Sequence, residues 1–223
     1  MIAWYDNIPL LSYVLLGGRC RSCKALISWR YPTVEGLTGA WFWLAVRLNG
    51  LDWVAAKWCL FGFILIELLF SDLETHILPD EFTLGGWIAG VVLAPLAPPP
   101  RGIVALFLEG QGPKFVGLAG AVLGSVALAG LLWAVGGAYM LVRKREGLGL
   151  GDVKLLAMMA AFLGLDSAIL ALLGASLAGS VIGLLWIKWK GEDASTYELP
   201  FGSFLGAAGL LVAVGAMLQP VAH

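Results

Sequence analysis

Continuously apolar segments dominate this chain between residues 33 and 218. They run over about 33–48, 53–71, 81–96, 115–142, 152–163, 167–187 and 201–218, each bounded by charges, glycines or prolines. Such segments do not alternate, so they do not read as barrel strands. In lipid a backbone must satisfy its own hydrogen bonds, which leaves helices. Sixty percent of the residues are hydrophobic and only 13% are charged, which excludes an ordinary soluble domain. The expected fold class is all-α: a polytopic membrane helical bundle of about seven transmembrane helices, embedded in a lipid bilayer. Residues 1–32 are polar, basic and aromatic and read as a small head, with a transmembrane domain over 33–223. No internal repeat or low-complexity tract interrupts it.

Charge placement orients the bundle. Seven spans put the head and the stretches 72–80, 143–151 and 188–200 on one side. That side holds Arg19, Arg21, Lys24, Arg30, Arg143, Lys144, Arg145, Lys154, Lys188 and Lys190; the other holds Arg47, Lys57, Arg101 and Lys114. Ten of 14 basic residues on one side make it cytoplasmic. The net charge of −1 gives no sign of a nucleic-acid partner. The first apolar run, 8–16, is too short to span and no basic residue precedes it, so it does not read as a secretory signal.

Two acids then fall at the same boundary. Asp72 ends the second segment and Asp152 opens the fifth, 80 positions later. Carboxylates that converge in a partly apolar site can share one proton, with one acid protonated and the other ionised. The ionised member activates a water and the protonated one polarises a carbonyl, which is aspartic proteolysis without metal or nucleophilic side chain. Asp152 taken alone reads equally as a helix cap, as do Asp80 and Asp166. Asp72 has no such reading, because a helix C-terminus disfavours an anion. Glu67 lies deeper in an apolar segment, where an acid is a functional candidate by default; His76 reads as a solvated loop residue. The fifth segment is short. At 1.5 Å per residue its 12 residues cover about 18 Å of a core about 30 Å thick, which sets Asp152 slightly inside the membrane at the foot of a cleft.

These residues carry a resemblance. Gly149-Leu150-Gly151-Asp152-Val153-Lys154, within the glycine-rich stretch that begins at Gly147, resembles the GxGD motif of the type IV prepilin peptidases. Asp72, followed by six residues and then Pro79-Asp80, is similar to their other aspartate motif. The head, from Trp4 through Cys20 and Cys23 to Pro32 and Glu35, and Pro200-Phe201-Gly202 at the last segment, match in the same order. The resemblance implies an aspartic endopeptidase of the bacterial inner membrane. Such enzymes cut basic leaders from prepilins or pseudopilins at the cytoplasmic face, after a glycine. It implies Asp72 and Asp152 as the catalytic pair, with Gly149, Gly151, Pro79, Asp80 and Lys154 as supporting motif residues. Many members also methylate the new N-terminus with S-adenosylmethionine. Full-length members carry an earlier C-x-x-C and a preceding membrane helix, and the two cysteine pairs together hold zinc. Only Cys20 and Cys23 are present here, half of such a site. The native chain is therefore expected to be longer, with zinc binding and methyl transfer depending on the missing part. Rival readings are a GxGD protease with other substrates, a proton- or ion-coupled transporter using Glu67, Asp72 and Asp152, and a non-catalytic membrane scaffold.

Overall fold

The computed structural model describes residues 4–100, 102–144, 149–190 and 200–218. A 3-10 turn, Trp4–Asn7, and α1 (Leu11–Leu15) belong to the head. They are followed by α2 (Arg30–Asn49), α3 (Trp53–Thr75), α4 (Asp80–Leu93), α5 (Ile103–Leu106), α6 (Pro113–Arg143), α7 (Leu150–Leu163), α8 (Leu165–Lys190) and α9 (Phe201–Met217). Among the described residues the sole β-type contact is an isolated bridge between Arg19 and Leu26 in the head. The chain is thus an all-α, multi-pass membrane protein. Each expected apolar segment lies mainly on one helix, and the expected apolar centre of the 101–114 linker is α5.

Four helices are long and apolar enough to cross a membrane: α3, α6, α8 and α9 with Leu218. The other three expected spans differ for physical reasons. Helix α2 is 20 residues long but carries Arg30, Glu35 and Arg47. Helices α4 and α7 have 14 residues each, about 21 Å, short of a core of about 30 Å. Helix α7 needs no lipid to cover it. Val153, Leu155, Leu156 and every residue from Met158 to Leu163 are buried, and α4, α6, α8 and α9 all pack against it.

The packing registers are tight. Helix α4 runs parallel to α7 with Gly86 against Met158 and Gly90 against Phe162; an added β-carbon at Gly90 would lie 2.8 Å from the Phe162 ring. Helix α9 runs antiparallel to α3, with Gly206 over Leu69 and Gly209 over Leu65. Helix α6 runs antiparallel to α7, where the Ser125 hydroxyl donates to the Ala157 carbonyl at 2.9 Å. Counting along that register sets residue 130 of α6 level with Asp152. The remaining 13 residues of α6 then project about 20 Å past the level of Asp152. In the same way Gly179 of α8 packs on Phe204, so α8 runs about 15 Å past the level of Ser203. Both projecting ends expose apolar side chains, among them Trp133, Leu141 and Val142 on α6 and Leu184, Leu185 and Trp189 on α8.

At the opposite end the chain is clasped. The buried Lys57 ammonium of α3 donates to the Pro98 carbonyl at 3.0 Å and sits over the Trp58 ring. Gly164, at φ +80°, makes the one-residue break between α7 and α8. Asp166 then accepts from the Ile103 N–H at 2.9 Å, so it caps α5 rather than the helix it opens.

Candidate active site

The polar stretch 72–80 begins inside a helix. Asp72 to Thr75 complete the last turn of α3, because side-chain polarity does not interrupt backbone bonding. His76 ends it in the left-handed region, at φ +53°, with its N–H donating to the Asp72 carbonyl at 3.0 Å. The Ser71 hydroxyl donates to the Ile77 carbonyl and folds the turn back. Pro79, lacking an N–H, then enters α4 in an extended conformation, and Thr83 closes onto its carbonyl.

The Asp72 side chain is buried, 5% exposed, at the end of α3 where the helix dipole opposes it. It is satisfied from another helix. Its Oδ2 accepts the Ser203 N–H at 2.6 Å and lies 2.9 Å from the Ser203 hydroxyl. Ser203 is the third residue of α9, and its N–H is shared between Asp72 and the Pro200 carbonyl, which lies at 3.1 Å. The positive end of α9 thus meets the Asp72 carboxylate, an interaction worth about 0.3–1 kcal/mol that offsets the opposing dipole of α3. Gly202 permits the approach: a β-carbon there would lie 3.0 Å from the Asp72 carboxyl carbon.

Asp152 comes from the opposite side. It is the third residue of α7, with Gly149 at the capping position, and its carboxyl reaches back to the Gly149 N–H, so it supports the start of its own helix as its position suggested. Asp80 is not a cap: it is the first residue of α4, behind Pro79. The capping reading of Asp80 and Asp166 in their own helices is corrected on this point. Leu78 joins the two halves of the site. Its side chain would touch a β-carbon at Gly151 at 3.3 Å and one at Gly202 at 3.1 Å, so it sits between the two glycine-bearing turns. The Asp72 and Asp152 carboxylates lie within electrostatic reach of one another. Asp152 is half-buried, so the pair is open on its side.

Supporting residues surround this pair. The Lys154 ammonium pairs with Asp80 Oδ1 at 2.7 Å and ties α7 to α4. Arg30, at the start of α2, pairs with Glu74, two residues past Asp72, and links the head to the same turn. Gly147 and Leu148, with Arg145 of the basic cluster, and Arg101 on the other side, lie outside the described residues. Glu67 is not brought to the pair. Five positions before Asp72, it points about 140° away around α3. That separation removes one of the three acids an ion path would need. Ser203 escaped the sequence reading altogether. It follows the Pro200-Phe201-Gly202 motif directly, and a polar residue in the first turn of an apolar helix is the signal that marks it.

The head is a separate cluster. Arg21 holds Asp6 in a two-pronged ion pair, 2.8 Å at the closest, and lies over the Tyr5 ring. The Leu10 N–H, at a residue with φ +58°, donates to Glu35. Cys20 and Cys23 share one tight loop, in which the Cys20 N–H donates to the Ala25 carbonyl and the Lys24 N–H to the Cys20 carbonyl. Backbone N–H groups of Cys23 and Ser22 point at the Cys20 sulfur and hold its thiol below the usual range. Two sulfurs on one loop are half of a tetrahedral zinc site. Among the described residues no group of three or more metal-binding side chains converges, so these residues alone do not fit a closed zinc centre.

Comparison with known proteins gives matches over nearly the whole chain. Residues 1–48 match the family model described as the Bacterial Peptidase A24 N-terminal domain, and residues 59–184 match that of the Type IV leader peptidase family. The chain is 37% identical over 204 residues to a prepilin leader peptidase/N-methyltransferase of Aeromonas hydrophila, covering 92% of this chain and 64% of that one. It is 37% identical over 209 residues to the Burkholderia pseudomallei (strain K96243) protein of the same name, with 93% and 61% covered. The Neisseria gonorrhoeae protein of that name is 35% identical over 210 residues, with 94% and 66% covered. The chain thus spans less than two thirds of the length of these relatives. No solved structure matches it.

Proposed function

The chain belongs to the Type IV leader peptidase family, and on that premise we propose that it is a membrane-embedded aspartic endopeptidase. Its substrates are prepilins or pseudopilins, cut between the basic leader and the apolar helix at the cytoplasmic face of a bacterial inner membrane. The observation that carries the reading is the convergence of Asp72 and Asp152. They end α3 and open α7, are 80 positions apart in sequence, and meet across Leu78. Asp72 in particular faces an unfavourable dipole at the end of its own helix, which gives it no ordinary structural reason to be acidic.

Proteolysis by this pair needs one ionised and one protonated carboxyl. The ionised member takes a proton from water as the water oxygen bonds to the scissile carbonyl carbon. The other gives its proton to the carbonyl oxygen. Collapse of the tetrahedral diol breaks the C–N bond, returns a diol proton to the donor and sends the proton taken from water to the leaving amine. The missing β-carbon of Gly151 lets Leu78 pack against the turn that carries Asp152. No step runs through zinc, which Cys20 and Cys23 do not enclose.

Asp72→Asn and Asp152→Asn each remove a proton acceptor without changing shape. Each is expected to abolish cleavage of a prepilin in membranes while the protein still accumulates. Full cleavage by either variant refutes the reading. N-methyl transfer stands in the relatives' names, and the described residues mark no place for S-adenosylmethionine. It is a separate proposal, tested by transfer of labelled methyl from S-adenosylmethionine to the cleaved product.

A further inference from the structure

Among the described residues, every hydrogen-bond donor on the Asp72 carboxylate comes from one residue, Ser203, and both donors address the same oxygen. The N–H lies at 2.6 Å and the hydroxyl at 2.9 Å from Oδ2. No described residue donates to Oδ1, which is left for water or substrate. The Ser203 hydroxyl also lies 3.1 Å from the Leu69 carbonyl, one turn earlier in α3. A serine hydroxyl has one proton, so it can serve one of these acceptors at a time. When Asp72 is charged, the proton belongs on Oδ2, where a charge-assisted bond is roughly twice as strong as a neutral one. When Asp72 is neutral, the hydroxyl can turn to Leu69. The backbone N–H cannot turn: the first turn of α9 fixes it, and the missing side chain at Gly202 lets it reach the acid. Asp152 is served differently: the Gly149 N–H reaches its carboxyl, no described side chain donates to it, and it is half-exposed.

We propose that Ser203, seated by Gly202, is a positioning residue that holds Asp72 as the water-activating carboxylate of the pair and leaves Asp152 as the proton donor. The assignment rests on the proteolytic reading and adds an order to it. In the step described above, the water proton goes to Oδ1 of Asp72. As the charge on Asp72 disappears, the Ser203 hydroxyl turns to Leu69, and it returns when the proton passes to the leaving amine. No oxidant, reductant or further reactant is required.

The test is the pH dependence of cleavage by the full chain in detergent or lipid vesicles. Its probe is a synthetic peptide with a basic leader, a glycine and an apolar helix. Ionisation of the base sets the acid limb of such a profile, and deprotonation of the acid sets the alkaline limb. Ser203→Ala removes a charge-assisted bond from the charged form of Asp72. The expected result is a roughly tenfold lower kcat with KM little changed, the acid limb displaced upward by about one pH unit, and the alkaline limb in place. Ser203→Thr keeps the hydroxyl and restores the profile. Gly202→Ala crowds Asp72 directly and is expected to lower kcat further. Should Ser203→Ala fail to accumulate, Ser203→Cys keeps the N–H and a weak donor and shifts the acid limb the same way by less. An unmoved acid limb overturns the assignment, and a displaced alkaline limb reverses the two roles and overturns it too. If the unaltered chain cuts no such peptide, the proteolytic reading falls and this assignment with it. If it does cut, and the Ser203→Ala profile is unchanged, only the assignment falls.

Discussion

Two glycines in α4 pose a direct question about what holds the site together. Gly90 faces α7, and a β-carbon there would lie 2.8 Å from two Phe162 ring carbons and 3.0 Å from the Ala161 β-carbon. Carbon atoms settle at about 3.5–4.0 Å, so Gly90→Ala must part the helices by nearly 1 Å or tilt the ring. Phe162 is fully buried and packs against Phe61 with centroids 5.1 Å apart, so the ring has little space to tilt into. Overpacking of this kind costs about 1–3 kcal/mol. Gly85, five residues earlier, has open space around it: a β-carbon there would meet nothing within 4 Å. Any gain in helix propensity on changing glycine to alanine, up to about 1 kcal/mol, is common to both positions. Gly85→Ala is therefore expected to be neutral or slightly stabilising, and Gly90→Ala to be less stable than Gly85→Ala by about 1–3 kcal/mol. Unfolding of the two purified variants in mixed micelles, titrated with a denaturing detergent, measures the difference. Equal midpoints would refute the α4–α7 register. Because α4 carries Asp80 and α7 carries Lys154 and Asp152, Gly90→Ala should also slow cleavage while Gly85→Ala does not.

Asp166→Ala removes the acceptor for the Ile103 N–H, and loss of a cap costs about 1 kcal/mol. It should lower the unfolding midpoint and leave kcat unchanged, since that clasp lies at the end of the bundle away from Asp72. In the head, the hydrogen bond from Arg21 holds Asp6 below the ordinary carboxylate range. A depressed carboxyl stabilises the fold above its unfolded value and loses that contribution as pH falls through its folded one. The head contact should therefore be constant from pH 5 to 8 and weaken only below about pH 4, as read by amide protection of the head.

The helices were legible because each apolar segment is punctuated by residues that stop helices or charge their ends. Gly164 marks the α7–α8 break and Pro79 the entry to α4. Hydropathy misjudges the ends, however. Helix α3 continues through Asp72, Leu73, Glu74 and Thr75, since backbone hydrogen bonds do not depend on side-chain polarity. Asp152 reads as a cap because an acid follows a glycine; it sits two residues past the helix start and supports it by reaching back to the Gly149 N–H. The shared boundary of Asp72 and Asp152 could be argued from topology alone. Their immediate partners could not. Ser203 is 131 positions from Asp72, and Lys154 is 74 from Asp80; pairings at that range are set by how α9 and α7 pack, which no local pattern records. In the head, by contrast, Cys20 and Cys23 share a loop that their spacing already demanded.

The unequal helix lengths impose an arithmetic of reach. Helices α6 and α8 rise about 15–20 Å beyond the level of the two aspartates, while α3, α4, α7 and α9 stop near it. A polypeptide descending from the rim as a helix spends about ten to thirteen residues on that distance, and its carbonyls arrive already hydrogen-bonded. The same descent takes about five or six residues in extended form. Only the extended strand delivers an unpaired peptide group to Asp72 and Asp152. On the proposed proteolytic reading, depth alone makes the site a gauge of how readily a chain unwinds just ahead of its apolar helix, and a glycine at that junction, about 1 kcal/mol poorer than alanine in a helix, lowers the cost of unwinding.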